Sequence, residues 1–401
     1  PVWAQRLDGV VISLNAGSPV RIGAQTLQEA CARLQSGRPV ILETDPEAAT
    51  LPAGLGGGHY IVLGAPENLR WLEYWARSLQ VDISEGALNG DGFVIKPCRD
   101  GNAELLVIAS PVERGALYGA YELEERTTPR GLPRLDCAVA PAVRFRSWPI
   151  HAFTDEPFGV SGRWRLNVSM IFDYFWNATL AYPGFPELRG QERAAVVADA
   201  QQRLHAKLAD AGQYGAMPAM MWNPFSFCLT PAGGGSAAEA DEVRAALEKT
   251  YPGISAQPWG PQRSTRCNLC PSHPATRRFV EEGVRELART FPELQVIVIY
   301  YSDQGGEITC GCERCASYPF IDRVTDYATL LMRTAHECNP KLRFLMRSHG
   351  LDSLIPTHQP EYQTDPSVGL REVKRRLGDA LEAITIRVTS PSGRDFQSWL
   401  S

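Results

Sequence analysis

The residues best suited to chemistry follow an apolar run in the second half of the chain. Residues 295–301 read as a buried strand, and Asp303 and Glu307 follow it in a loop that contains two glycines. Glycoside hydrolysis needs one carboxylic acid to protonate the leaving oxygen and a second carboxylate across the sugar. Burial at a strand end favours the protonated form that an acid catalyst requires. Glu307 is therefore a candidate general acid and Asp303 a candidate substrate ligand; alternatively, Asp303 caps the loop and Glu307 is solvated.

Aromatic and polar side chains near the ends of other predicted strands suit the recognition of a sugar. Pyranose rings pack their apolar faces on aromatic rings, while their hydroxyl groups need hydrogen-bonding partners. The candidates are Asp173, Trp176, Trp222 and Tyr301. The alternative for the aromatic side chains is a place in the hydrophobic core, where most of their surface would be buried.

Half of the ten cysteines are concentrated in two short segments, Cys267-x2-Cys270 and Cys310-x-Cys312-x2-Cys315. Such spacings are typical of a tetrahedral thiolate zinc site, which leaves no coordination position for water and is therefore structural. The ligands are either the two Cys-x2-Cys pairs or Cys270 with the three cysteines of the second segment. Disulfides in an exported protein and free thiols are the alternatives. A zinc ion would brace the loop that carries Glu307, and no cofactor is expected for catalysis itself.

The elements that must position these residues alternate between strand and helix from residue 144 onward. Apolar or β-branched runs predict strands at 144–149, 168–172, 216–221, 295–301, 342–347 and 384–388. Helical periodicity predicts helices at 192–211, 275–290, 323–338 and 369–383. Such alternation is typical of parallel strands with helices outside, and polar or aromatic strand ends favour a (β/α)8-type TIM barrel. Because six strands are predicted and a complete barrel of this type has eight, we expect a barrel that is incomplete at its C-terminus.

The first 126 residues form a separate α/β pattern. Strands are predicted at 10–14, 39–42, 60–63, 92–95 and 105–108, with helices at 27–34, 68–79 and 115–125. Residues 127–143 are rich in proline and lack periodicity, which predicts a linker. The expected organisation is a small α/β sandwich domain at 1–126, a linker at 127–143 and a TIM-barrel catalytic domain at 144–401.

Parts of both regions resemble glycoside hydrolases. Residues 91–125, above all Arg114-Gly115-Ala116-Leu117-Tyr118-Gly119, resemble the small α/β domain that precedes the barrel in α-glucuronidases and β-hexosaminidases. Near the end of the chain, Asp395-Phe396-Gln397 resembles the Asp-Phe-Gln motif of family 67 α-glucuronidases, whose Asp is a catalytic carboxylate. In that family the general acid is a Glu after the fourth barrel strand, which corresponds to Glu307. A β-hexosaminidase would have an adjacent Asp-Glu pair there, which this segment lacks.

The resemblance implies an inverting glycosidase. Glu307 would donate a proton to the leaving oxygen and Asp395 would help to activate a water, with the two carboxyl groups about 6.5–9.5 Å apart. A uronic acid substrate carries a carboxylate, so the pocket should hold a cation, for which Arg347 and His349 are candidates. The alternatives are a structural ion pair for Arg347 and a plain loop position for His349. The family has a further catalytic carboxylate, which would lie beyond residue 401.

The composition excludes several other classes of protein. The 401 residues carry 40 Lys and Arg against 45 Asp and Glu, a net charge of −5, so neither a nucleic-acid groove nor a basic membrane patch has electrostatic support. No apolar stretch approaches the roughly 18 residues of a membrane-spanning helix, and the first residues lack the pattern of a signal peptide. We therefore expect a soluble protein whose partner is a carbohydrate, in the cytoplasm, the periplasm or outside the cell.

Three functions are compatible with these residues. The first is a glycoside hydrolase resembling α-glucuronidases, which acts on a polysaccharide or oligosaccharide by general acid/base catalysis. The second is a non-catalytic carbohydrate-binding protein on a degenerate barrel, which would keep the aromatic platform without needing Glu307. The third is a zinc-organised interaction scaffold, in which the cysteine cluster is the functional surface. The first is the preferred interpretation.

Overall fold

Strands and helices alternate along the chain in the computed structural model. The structure describes residues 2–48, 50–52, 55–147, 158–172, 183–185, 193–227, 237–257, 267–301, 309–348, 351, 354–355, 359–362, 365–389 and 395–400. The chain divides into two units. Unit 1 comprises Pro1–Trp148, Glu156–Val168 and Asp210–Ala216, and unit 2 comprises Pro149–Asp155, Ser169–Ala209 and Met217–Ser401. The first unit thus includes three segments beyond the expected boundary at residue 143, namely 144–148, 156–168 and 210–216.

Unit 1 is built on a six-stranded mixed sheet. The strands of unit 1 are β1 (Val2–Ala4), β2 (Gly9–Ser13), β3 (Val40–Thr44), β4 (His59–Gly64), β5 (Phe93–Asp100), β6 (Ala103–Ala109), β7 (Leu132–Pro133) and β8 (Cys137–Val139). The sheet order is β3-β2-β4-β6-β5-β8, while β1 and β7 form a separate pair. Strands β2, β3, β4 and β6 run parallel, and β5 is antiparallel to β6 and β8.

Helices cover both faces of this sheet. They are α1 (Ser18–Ala32), α2 (Trp71–Ser78) and α3 (Glu113–Arg126). Residues of α1 and α3, such as Leu27 and Leu117, share one core cluster with Ile12 of β2. Trp71 and other residues of α2 belong to a second cluster with Val11, the neighbour of Ile12 in β2. Because successive strand residues point to opposite faces, the two clusters lie on opposite sides of the sheet. The expected α/β class is confirmed.

Two glycines explain the local sequence of α3. A Cβ on Gly115 would lie 2.0 Å from the Ser110 Oγ, and one on Gly119 would lie 2.4 Å from the Ile108 Cγ2. Both distances are well inside van der Waals contact, so α3 can approach β6 this closely only where these positions are glycine. The Arg114–Gly119 segment, which carried the family resemblance, therefore serves the packing of unit 1.

The proline-rich segment at 127–143 is not the expected linker. It contains β7 and β8, and β8 forms the edge of the sheet by pairing antiparallel with β5. Pro133 lies in β7 and Pro141 follows β8. Proline is tolerated at a sheet edge because it has no N–H group to donate to a neighbouring strand. Three residues are too few to show the alternation by which longer strands are recognised.

Asp91 is a buried carboxylate that joins three parts of unit 1. Its side chain is 1% exposed. It accepts hydrogen bonds from Arg114 Nε at 3.0 Å, from Arg146 Nη2 at 2.8 Å and from Asn167 Nδ2 at 2.9 Å. The two guanidinium groups and the amide thus supply the Asp91 carboxylate with the hydrogen bonds that water would otherwise provide.

We expect Asp91→Ala to lower the free energy of unfolding of unit 1 by about 3–5 kcal/mol, because it leaves two largely buried guanidinium groups without their carboxylate. Urea denaturation of the variant and the wild type measures the difference. Asp136→Ala is the control, since the Asp136 side chain is 63% exposed and its ion pair contributes less than about 1 kcal/mol. Equal stability of the two variants would contradict the prediction.

Unit 2 contains a second six-stranded sheet. The remaining strands along the chain are β9 (Val168–Phe172), β10 (Met217–Trp222), β11 (Ser226–Phe227), β12 (Cys267–Asn268), β13 (Val296–Tyr300), β14 (Arg343–Arg347), β15 (Ala383–Thr389) and β16 (Asp395–Leu400). The sheet order is β9-β10-β13-β14-β15-β16, and β11 pairs with β12. Strands β10, β13, β14 and β15 run parallel to one another, whereas β16 is antiparallel to β15. Sheet neighbours thus follow the order of the chain. Within the described residues the sheet is open, so the expected barrel is not confirmed.

The connecting helices supply the core of unit 2. In chain order, the remaining helices are α4 (Phe158–Arg163), α5 (Arg193–Gln213), α6 (Ala237–Thr250), α7 (Pro274–Thr290), α8 (Glu313–Ala316), α9 (Phe320–Cys338) and α10 (Pro366–Leu377). Helix α7 buries Phe279, Val284 and Leu287 at helical spacing in a cluster that also holds Ile297 of β13. Among the described residues, every helix is too short or too polar to cross a membrane.

Candidate functional site

The carboxyl ends of three parallel strands meet at one edge of the unit 2 sheet. Trp222 at the end of β10 is level with Ile299 of β13, and Tyr300 at the end of β13 is level with Arg347 at the end of β14. This edge is where parallel α/β sheets place their ligand sites, because loops of variable sequence follow the strand ends there.

Arg347 is a half-buried cation at this edge. Its Nη1 lies 3.8 Å from the Met221 Sδ, and its guanidinium carbon lies 5.8 Å from the centre of the Tyr300 ring. Within the described residues these contacts involve a thioether and an aromatic ring instead of a carboxylate. A guanidinium in such surroundings is suited to bind an anionic group, because it offers paired N–H donors and is only weakly hydrated.

Trp222 and Tyr301 belong to the hydrophobic core. Both are 0% exposed, and the Tyr301 hydroxyl donates a hydrogen bond to the Val324 carbonyl oxygen at 3.2 Å. The Tyr301 ring also packs against Phe225, with ring centres 5.7 Å apart. Burial raises the pKa of Tyr301 well above its ordinary value. The interpretation of these two rings as an exposed sugar platform is therefore corrected: neither presents a face to a ligand.

Several predicted site residues lie outside the described residues, namely Asp173, Trp176, Asp303, Glu307 and His349. Asp395 begins β16 and its backbone is paired with Thr389 of β15, while its side chain is not described. The separation between the two candidate catalytic carboxyl groups therefore stays a prediction. Tyr301 and Thr309, which precede and follow residues 302–308 in the sequence, are both buried.

Four of the five clustered cysteines converge in unit 2. The sulfur atoms of Cys270, Cys310, Cys312 and Cys315 all lie within 4.8 Å of one another. The Cys270 Sγ is 3.7 Å from that of Cys312 and 3.6 Å from that of Cys315. A regular tetrahedron with metal–sulfur bonds of 2.3 Å has sulfur atoms about 3.8 Å apart, whereas a disulfide requires about 2.05 Å. The arrangement fits four thiolates around one ion.

Polar groups of neighbouring residues lie beside two of these sulfur atoms. The Gln257 N–H donates to the Cys310 Sγ at 3.2 Å, and the Ser272 Oγ lies 3.0 Å from the Cys315 Sγ. Because the thiols hydrogen-bond one another, the pKa of Cys315 lies below its ordinary value, whereas the pKa values of Cys270 and Cys310 lie above theirs. The buried Arg323 donates to the Cys315 carbonyl oxygen at 2.7 Å and adds a positive charge close to the cluster.

Of the two ligand sets that the cysteine spacing left open, the described side chains bring together the second, Cys270 with the three cysteines of the later segment. Cys270 comes shortly after β12, Cys310 and Cys312 precede α8, and Cys315 lies within α8. Cys267 lies in β12, and its side chain is not described. The supporting residues Gln257, Ser272 and Arg323 carry no sequence signal of their own, because only the fold brings them to the sulfur atoms.

One family of glycoside hydrolases matches part of the chain in sequence. Residues 6–123 match the family described as "Glycosyl hydrolase family 67 N-terminus", which confirms the resemblance found around Arg114–Gly119. The matched residues lie within unit 1. No curated protein matches the chain in sequence.

Solved structures of glycoside hydrolases share the fold. A GH138 enzyme targeting pectin rhamnogalacturonan II is similar with a TM-score of 0.52 and 12% identity, over 89% of this chain and 47% of that one. The chitobiase of Flavobacterium johnsoniae is similar with a TM-score of 0.51 and 12% identity, over 87% of this chain and 50% of that one. At such identities the likeness concerns the fold alone. The chain spans about half the length of these two proteins.

Proposed function

We propose that the chain belongs to a glycosidase that resembles α-glucuronidases and acts on a polysaccharide or oligosaccharide. The observation that carries the proposal is a combination of two features. The family 67 N-terminal match covers most of unit 1, and unit 2 follows it with parallel strands whose order in the sheet is their order in the chain. In this proposal β9, β10, β13, β14 and β15 are successive strands of a TIM barrel, an architecture in which strand and chain order agree.

The proposed reaction inverts the anomeric carbon of the cleaved sugar. The Glu307 carboxyl group gives its proton to the glycosidic oxygen as the bond from that oxygen to the anomeric carbon breaks. A water attacks the same carbon from the opposite face, and Asp395 accepts the proton that the water loses. Proton exchange with solvent then restores both groups. Such a pair needs about 6.5–9.5 Å between the two carboxyl groups to leave room for the water.

Arg347 is the proposed partner of the substrate carboxylate. We expect Arg347→Met to lower kcat/KM for a uronide by about 10–100-fold, since a hydrogen bond to a charged group contributes about 1.5–3 kcal/mol. Hydrolysis of the matching neutral glycoside should change little. Arg333→Met is the control variant, because the Arg333 side chain is 64% exposed on α9. An equal loss on uronide and neutral substrates would remove Arg347 from this role.

The test of the function is hydrolysis of a substrate panel by the full natural chain. The panel contains aryl uronides, aryl hexosaminides, neutral aryl glycosides and glucuronoxylan oligosaccharides. Hydrolysis of the uronic acid substrates supports the proposal. Hydrolysis of the hexosaminides alone would show that the enzyme does not resemble α-glucuronidases in its specificity. If the folded protein cleaves no member of the panel but binds an oligosaccharide in calorimetry, it is a carbohydrate-binding protein and the proposal is wrong.

A further inference from the structure

We propose that Cys270, Cys310, Cys312 and Cys315 hold one zinc ion in a closed tetrathiolate site. Four sulfur atoms within 4.8 Å of one another supply the number and the spacing of donors that a tetrahedral ion takes. Three of the four cysteines are buried, and Cys312 is half-buried. Without a metal ion, the four thiols would be buried together and would not form the strong thiolate–metal bonds that their arrangement permits.

The donor set selects the metal. Soft thiolates arranged as a tetrahedron bind zinc or iron, whereas calcium and magnesium require oxygen ligands. Sulfur atoms this close together enclose a single ion and leave no space for a multinuclear iron–sulfur cluster. Four protein ligands also fill the coordination shell, so the ion has a structural role and no open position for substrate.

The groups around the cluster offset its charge. Four thiolates and one zinc ion carry a net charge of −2, which a buried site must compensate. The Gln257 N–H points at the Cys310 Sγ, the Ser272 hydroxyl lies beside the Cys315 Sγ, and the buried Arg323 binds the Cys315 carbonyl oxygen. Hydrogen bonds of this kind to ligating atoms are typical of metal sites and orient the ligands.

The zinc ion would join two connections of unit 2. One runs from β12 into α7, and the other runs from β13 into α8. In the sequence Cys310 comes three positions after Glu307, so the site also anchors the segment of the candidate acid. This last consequence rests on the proposed function, whereas the metal site itself does not.

The experiment measures metal content in the full natural chain, purified without a histidine tag and without chelators. Elemental analysis should find one zinc per chain, and Cys270→Ser or Cys315→Ser should lose nearly all of it. Cys98→Ser and Cys338→Ser are matched controls that should keep it, because both cysteines lie outside the cluster. Cys267→Ser should keep it too. Loss in Cys267→Ser together with retention in Cys310→Ser would overturn the ligand set.

Replacing zinc by Co²⁺ reports the geometry independently of activity. Tetrahedral thiolate coordination should give intense visible absorption and sulfur-to-metal charge-transfer bands in the near ultraviolet, both absent from Cys315→Ser. Alkylation without reduction, followed by mass measurement, counts the free thiols after metal removal. Disulfides between these cysteines, four free thiols without bound metal, or stoichiometric iron in place of zinc would each overturn the proposal. None of these readouts depends on glycosidase activity, so the two proposals fail separately.

Discussion

Glu307→Gln is expected to lower kcat by about 100- to 10,000-fold on a glycoside with a poor leaving group, the range that a general acid contributes. Glutamine has a similar shape but cannot protonate the glycosidic oxygen. With an aryl glycoside of an acidic phenol the loss should be much smaller, because the phenolate departs without a proton. Steady-state kinetics on the two substrates measures both effects.

Glu313→Gln is the matched control for this variant. Glu313 is exposed at the start of α8, so the same chemical change there should leave both rates near those of the wild type. If Glu307→Gln retained full activity, or lost the same factor on both leaving groups, Glu307 would not be the acid. Near-wild-type circular dichroism excludes misfolding as the cause of a loss.

Removing the proposed zinc ion from the cysteine cluster is expected to unfold the region around α7 and α8. Structural zinc sites contribute about 10–16 kcal/mol of apparent binding free energy in zinc-finger peptides. This compares with a net stability of about 5–15 kcal/mol for a whole domain, so the region should not survive the loss of its ion. Hydrogen exchange with and without a chelator should show faster exchange at 267–301 and 309–338.

Unit 1 supplies the internal control for this experiment. Its strands β2, β4 and β6 are buried in a separate core and lie outside the zinc site, so their amide exchange should not change. A second control is Cys315→Ser, which should already show the fast exchange and should not respond to chelator. Unchanged exchange at α7 after confirmed loss of zinc would contradict the structural role.

The order and type of the strands and helices were largely predictable from local sequence patterns. Residues 296–300 form β13, in which all five side chains are buried, and such strands read as continuous apolar runs. Helix α7 buries one face and exposes the other, so its 3.6-residue period is visible in the sequence. The short edge strand β8 lacks both signals, so its segment reads as a linker. Helix α6 (Ala237–Thr250) has no counterpart among the helices predicted from the sequence.

The candidate site was predictable in its residue types more than in its geometry. The cysteine spacing predicted a metal site but left two ligand sets open, and the fold brings Cys270 to the second segment. The position of Trp222 near a strand end suggested an exposed ring, whereas packing within unit 2 buries it completely. Gly115 and Gly119 looked like a family signature, and the fold gives them a steric reason.

The sequence by itself determined the α/β class, the order of the main elements, the concentration of thiols and the carboxylates that suit hydrolysis. These properties depend on residue type and on periodicity over a few turns or strands, which each segment carries alone. Only the tertiary structure decided which cysteines meet, that Arg347 lies beside Tyr300 and Met221, and that Tyr301 belongs to the core. Those outcomes depend on contacts between residues far apart in the chain, because burial and ligand geometry are set by the elements that pack against a residue.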